Sequence, residues 1–193
     1  MLLLGAAAGL LLASAASAQT ELFHGHGQII VLNGSSFVGV VPSRDRIGCL
    51  NDQGILTLDN CAEFALADAS PRTFSTVSGN CTFQNKNMPA NSDSAYGRDS
   101  HAWSCLVENQ LGPPYENYYT VTGFKYPFIC NGNLNCYYDI KSTPSPNNTR
   151  VPVWQFYWGD AQGGITPGHV QTLWLWVPVN TTKTTKTTKT TRT

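Results

Sequence analysis

The segment VQTLWLWV, residues 170–177, carries the clearest strand signal in the chain. Leucine and tryptophan alternate at its centre, so Leu173 and Leu175 share one face of an extended strand and Trp174 and Trp176 share the other. One of these faces must point outward unless the strand is buried on both sides. The segment therefore predicts a strand with two apolar faces, each of which is either packed against other parts of the protein or used for binding.

Short runs of the same kind recur along the chain, separated by clusters of Gly, Asn, Pro and Ser. Besides 170–177, the predicted strands are residues 28–32, 37–41, 55–58, 73–77, 102–107, 118–124, 136–140 and 151–158. Short strands with frequent turn signals predict a single-domain, mainly β protein built as a β-sandwich or β-barrel. Residues 60–68 fit either a two-turn helix capped by Asn60 or a strand in which Phe64 and Leu66 alternate.

The two ends of the chain differ from this pattern. Residues 2–18 are apolar or small and uncharged, and they end in an Ala-Ser-Ala triplet, which predicts a signal peptide (residues 1–18) cleaved before Gln19. The run is marginal in length and apolarity for a membrane anchor. Residues 181–193 repeat Thr-Thr-Lys without an apolar residue, which predicts a disordered tail. A secreted domain of residues 19–180 remains, with no membrane span after cleavage.

The formal charge of zero conceals an asymmetry between the domain and the tail. Four of the twelve basic residues lie in the tail, which leaves eight in the domain against twelve acidic residues, a net charge near −4. Nucleic-acid binding requires a basic surface to neutralise phosphates. The composition therefore excludes nucleic acid as the expected partner.

Six cysteines follow the predicted signal peptide. An even number in a secreted chain indicates a disulfide framework, whereas a zinc site is disfavoured because no Cys-x-x-Cys pair occurs. Turn signals between the first two and between the last two favour sequential pairing among the fifteen arrangements. The expected bonds are Cys49–Cys61, Cys81–Cys105 and Cys130–Cys136.

Four Asn-x-Ser/Thr sequons mark acceptor sites for N-linked glycans in a secreted protein. They lie at Asn33, Asn80, Asn147 and Asn180. Asn147 and Asn180 lie in loop-like or terminal sequence, whereas oxidation of the adjacent Cys81 competes with glycosylation at Asn80. The sequons predict a glycoprotein.

The tryptophans form the strongest candidate binding feature. Trp154 and Trp158 share a face of the strand at 151–158, as Trp174 and Trp176 do on theirs. Two such strands side by side could present a flat platform on which sugar rings stack. The alternative is that these rings fill the core, which is the more common use of an aromatic stripe.

Catalytic motifs are weak in this sequence. No Gly-x-Ser-x-Gly elbow occurs. His101 and His169 could act as an acid/base pair of the ribonuclease kind, and a carboxylate pair could cleave glycosides. The candidate carboxylates are Glu108, Glu116, Asp139 and Asp160. We favour a binding protein, and a small secreted hydrolase is the alternative.

His24 and His26 are candidate metal ligands, because their spacing places both imidazoles on one strand face. The segment from His24 resembles the start of copper-dependent polysaccharide monooxygenases, which need the first histidine at the mature N-terminus. The expected cleavage leaves Gln19 there instead. We therefore predict neither a metal nor another cofactor.

A wider resemblance covers about a third of the chain. The segments GCLNDQGILT at 48–57, CAEF at 61–64, GNCT at 79–82 and AWSC at 102–105 resemble a pattern of small secreted six-cysteine fungal proteins of no established activity. That resemblance implies an extracellular β protein in the cell wall or at a host surface, acting like an effector. It carries over no catalytic residue. We expect a binding protein whose partner is a cell-wall glycan or a host surface.

Overall fold

A computed structural model describes residues 22–109, 116–132, 136–156 and 164–179. The predicted signal peptide, the Thr/Lys tail, Asn180, Trp158 and Asp160 lie outside these ranges. The described chain is almost entirely β. Its strands are β1 (His26–Asn33), β2 (Arg46–Leu50), β3 (Leu56–Thr57), β4 (Phe64–Leu66), β5 (Phe74–Thr76), β6 (Gly79–Thr82), β7 (Ser104–Leu106), β8 (Tyr118–Thr120), β9 (Ile129–Asn131), β10 (Tyr138–Ile140), β11 (Trp154–Gln155) and β12 (Val170–Pro178).

Strand β1 organises the main sheet. One edge pairs with β12 along its whole length, while the other edge pairs first with β4 and then with β2. The sheet runs β11-β10-β12-β1-β4-β5-β6-β7, with β2 and β3 attached beside β1, and β8 and β9 form a separate two-stranded sheet. The backbone amide of Trp103 also donates to the carbonyl of Val153, which links the neighbourhoods of β7 and β11. The sheet is therefore curled and antiparallel, which confirms the predicted mainly β fold.

Two local predictions are decided by short-range hydrogen bonds and by packing. The expected strand at residues 37–41 does not form, because the chain turns into a short helix α1 (Pro42–Asp45) whose Asp45 accepts the Val41 amide at 2.8 Å. The ambiguous segment 60–68 contains a strand, β4, since Phe64 and Leu66 both face the core. Strands β2, β6 and β9 were not predicted.

The main core lies on the tryptophan face of β12. Trp174 and Trp176 are 0% and 1% exposed and pack with Phe23, Phe74 and Trp103. Each ring contributes a large apolar area, so this cluster supplies much of the driving force for folding.

The opposite face of β12 is also buried. Leu173 and Leu175 join Ile30 and Leu32 of β1 in a second cluster together with Phe128. Partly buried rings lie over it from the loops, namely Phe37, Phe124, Tyr126 and Tyr137. Strand β12 is therefore covered on both sides, so neither of its apolar faces is a free surface.

Three disulfides staple the sheet. They join Cys49 to Cys61, Cys81 to Cys105 and Cys130 to Cys136, which is the sequential pairing expected from the sequence. Cys81 and Cys105 are direct partners in the β6–β7 ladder. Each bond contributes about 2–4 kcal/mol, mainly by restricting the unfolded chain. Such bonds persist in oxidising compartments, which is consistent with an extracellular protein.

The described helix, α1, has four residues. Within the described ranges, no helix combines the length and the apolar character needed to cross a bilayer.

Candidate ligand-binding site

The tryptophans proposed as a platform are core residues wherever the structure describes them. Trp154, Trp174 and Trp176 are 3%, 0% and 1% exposed. The indole of Trp154 donates to the carbonyl of Pro89 at 2.9 Å, and that of Trp176 donates to the carbonyl of Leu22 at 2.9 Å. An exposed platform on these three rings is therefore wrong, because the sheet curls with the tryptophan face inward.

The structure places the two candidate histidines in different surroundings. His101 is half-buried, and its Nδ1 lies 3.0 Å from the carbonyl oxygen of Met88. The His169 side chain is 6% exposed, with Nδ1 2.9 Å from Oδ1 of Asp139 and Nε2 3.6 Å from Oδ2 of Asp93. Both nitrogens of His169 thus face carboxyl groups of the protein. His101 and His169 thus contact different groups, and the acid/base pair stays a prediction.

Asp139 is the centre of a buried polar cluster. Its side chain is 1% exposed and accepts a hydrogen bond at Oδ2 from Nδ2 of Asn91 at 2.9 Å, while its Oδ1 faces His169. Lys141 pairs with Asp93, which is more than half exposed. This cluster ties β10 to residues 91–93 and to the segment before β12, so its role in the fold is structural.

Glu116 is a buried carboxyl with incomplete hydrogen bonding. Its Oε1 accepts from the hydroxyl of Thr82 and from the Phe83 amide, whereas Oε2 is buried without a hydrogen-bond partner among the described residues. Burial raises the pKa of Glu116, and the two hydrogen bonds oppose that rise only in part. The buried carboxyl thus holds the start of the segment at Thr82 and Phe83 by hydrogen bonds from the core side.

That segment, residues 82–87, forms one wall of a cavity of about 310 Å³. The amide of Gln84 donates to the Thr82 hydroxyl at 2.9 Å, and the amide of Asn87 donates to Oδ1 of Asn85 at 2.9 Å. Such local side-chain bonds stabilise turns and explain why β6 ends here. The first cavity is lined by Thr82, Gln84, Asn85, Lys86, Asn87, Glu108 and Asn109.

The far wall of the first cavity is fixed by Asn109. Its Nδ2 donates to the carbonyl oxygens of Asn80 and Ser104, both at 2.8 Å. Its Oδ1 accepts from Nδ2 of Asn85 at 2.7 Å. Of the candidate carboxylates, Glu108 lines this cavity and Glu116 lies behind Thr82, while Asp139 belongs to the cluster around His169.

A second cavity of about 280 Å³ lies on the other side of the same segment. Its lining residues are Phe83, Gln84, Lys86, Asp99, Ser100, His101 and Gln155. His101 is fixed there because Ala90 pairs with it in a β-bridge. The two cavities share Gln84 and Lys86.

The two histidines near the start of the domain do not gather a metal site. His24 is exposed, and Nδ1 of His26 lies 2.7 Å from Oε1 of Glu63. Among the described residues, no group of three or more His, Cys, Asp or Glu side chains is arranged to hold a metal ion.

The cavity residues were missed by sequence reasoning because they are ordinary polar residues in separate segments. The run QNKN at 84–87 is the local signal that could have drawn attention, since three amides and a lysine follow the end of β6 after one intervening residue.

Comparisons with known proteins add no function to this geometry. No protein-family model matches the chain, and neither curated proteins nor solved structures give a significant match.

Proposed function

We propose that this chain is an extracellular binding protein that recognises a neutral carbohydrate of a cell wall or a host surface. The observation that carries the proposal is the amide-lined first cavity between residues 82–87 and Asn109. The three disulfides support an extracellular location, because such bonds persist in oxidising compartments.

The lining chemistry favours a ligand rich in hydroxyl groups. Gln84 and Asn87 carry exposed amides that can both donate and accept hydrogen bonds, whereas Asn85 and Asn109 bond to each other and shape the wall. Sugar hydroxyls need both kinds of partner. The charges of Lys86 and Glu108 balance, so the cavity has no strong preference for an anion or a cation.

Titration calorimetry with neutral wall fragments tests this proposal. The probes are oligomers of β-1,3-linked glucose, of N-acetylglucosamine and of mannose. Binding to one of them should weaken about tenfold in a Gln84→Ala/Asn87→Ala double variant, because each lost hydrogen bond costs about 0.5–1.5 kcal/mol. Asn60→Ala is the matched control, since Asn60 is an exposed asparagine away from both cavities. Unchanged binding in the double variant, or no binding of any probe, would contradict the proposal.

A small secreted hydrolase is the second candidate. His101 and Asp99 line the same cavity, and a histidine with a neighbouring carboxylate is a common source of acid/base catalysis near neutral pH. Hydrolysis of polysaccharide or RNA that disappears in His101→Ala would establish this alternative. Retained hydrolysis in that variant would dismiss it.

A further inference from the structure

The two cavities meet along a single short segment of chain. Thr82 lines the first cavity and Phe83 lines the second, whereas Gln84 and Lys86 line both. Gln84 and Lys86 are exposed, so a ligand in either cavity can reach their side chains. The cavities are therefore neighbours on one surface.

We propose that the two cavities are adjacent subsites of one groove, and that the ligand is a linear oligosaccharide lying across Gln84 and Lys86. This inference rests on the proposed function, because it assumes that the first cavity binds a sugar. It goes beyond that function by specifying a polymer segment of at least two units and by placing a second unit beside His101 and Gln155.

The size of the cavities supports an oligomer. Their volumes are about 310 and 280 Å³. Small-molecule sites usually occupy about 300–1,000 Å³, so each cavity alone is at the lower end of that range. One cavity suits one sugar ring, and only a ligand that extends into both would fill the groove.

The charges along the groove also favour a neutral ligand. Lys86 is shared by the two cavities, Glu108 lines the first and Asp99 lines the second, so one basic residue stands against two acidic ones along the groove. A neutral repeating unit tolerates this small negative excess, whereas a polyanion is disfavoured. A strongly charged polymer would meet a like charge in both subsites.

The second subsite presents different partners from the first. His101, Ser100 and Gln155 supply polar groups beside Phe83, which is only 5% exposed. The second cavity therefore holds a ligand through polar contacts, with little apolar surface for a ring to stack on. The second unit would therefore be held by the fixed His101 on one side and by β11 on the other.

A chain-length series tests the groove. Titration calorimetry of the full mature protein uses N-acetylglucosamine, β-1,3-linked glucose and mannose, each as oligomers of one to six units. The affinity for the oligomer that binds should rise at least about tenfold from one unit to two or three and then level off. Gln155→Ala should lower oligomer affinity several-fold and leave monosaccharide affinity unchanged, whereas Asn87→Ala should lower both.

The outcomes separate the groove from the proposed function. Equal affinity for one unit and for six would overturn the groove while leaving sugar binding in the first cavity intact. Failure of every sugar at every length would overturn both. Asn60→Ala is the control, and matching thermal melts for all variants would exclude unfolding as the cause of lost affinity.

Discussion

The ring of Tyr138 lies flat against the indole of Trp174, with ring centroids 3.6 Å apart and planes that differ by 7°. Both side chains are fully buried, and they come from the paired strands β10 and β12. The Tyr138 hydroxyl donates to the carbonyl of Ile129 at 3.1 Å, so the same residue fastens β9 to the main sheet. This stack explains why Trp174 is unavailable to a ligand.

Replacement of Trp174 by alanine should therefore destabilise the fold. We expect a loss of about 3–5 kcal/mol in the free energy of unfolding, measured by urea denaturation, because a large buried ring leaves a cavity. Tyr138→Phe keeps the stack and loses one hydrogen bond, so it should cost about 1 kcal/mol. If Trp174→Ala fails to accumulate, Trp174→Phe provides the folded comparison. A loss below 1 kcal/mol in Trp174→Ala would contradict its place in the core.

The Asp139 cluster gives a second prediction. Asp139→Ala removes the acceptor of Asn91 and the partner of His169, and each buried group left unpaired costs about 1–3 kcal/mol. The free energy of unfolding should fall by about 2–5 kcal/mol in urea titrations. Asp59→Ala serves as the control because Asp59 is exposed, and it should change stability by less than about 0.5 kcal/mol. Equal effects of the two substitutions would show that the cluster is not structural.

Glu116 should make stability depend on pH. Burial raises its pKa in the folded protein above the ordinary value of 4.5, so the folded state holds the proton more tightly than the unfolded state. The protonated Glu116 carboxyl contributes fully to stability at pH values below its ordinary pKa. That contribution is lost as the pH rises through the raised pKa of the folded state. Glu116→Gln keeps a neutral side chain, so it should be the more stable protein at neutral pH.

Urea denaturation between pH 4 and pH 7 measures this difference. The gap between Glu116→Gln and the parent protein should widen with rising pH. Glu108→Gln is the matched control, because Glu108 is an exposed residue of the same type. A gap that is constant with pH would show that Glu116 titrates alike in the folded and unfolded states.

Glycan occupancy should differ among the described sequons. Asn33 and Asn147 are exposed, whereas Asn80 is partly buried in β6 and its Nδ2 donates to the carbonyl of Asn109 at 3.4 Å. In protein secreted from eukaryotic cells, peptide mass mapping should find glycans at Asn33 and Asn147 but little at Asn80. High occupancy at Asn80 would mean that the sugar is attached before the β6–β7 disulfide forms.

The sequence by itself determined the features that depend on local patterns. Alternation with a period of two identified β12, because side chains on a strand point alternately to its two faces, while short β-branched and aromatic runs between turn signals identified β1 and β5. Spacing and turn signals led to the sequential disulfide pairing, since each bridge closes a short loop. The signal peptide, the sugars at the sequons and the extracellular function remain predictions from the same source.

Tertiary structure alone decided which faces are buried and where a ligand could bind. The sequence pattern of β12 gives two apolar faces, one of leucines and one of tryptophans, and does not show which is buried. In the folded protein the curled sheet covers the tryptophan face, and aromatic side chains from loops cover the leucine face. The groove combines residues 82–87 with side chains near positions 100, 108 and 155, which are distant in sequence. Their proximity arises from long-range strand pairing and core packing, and local periodicity carries no information about either.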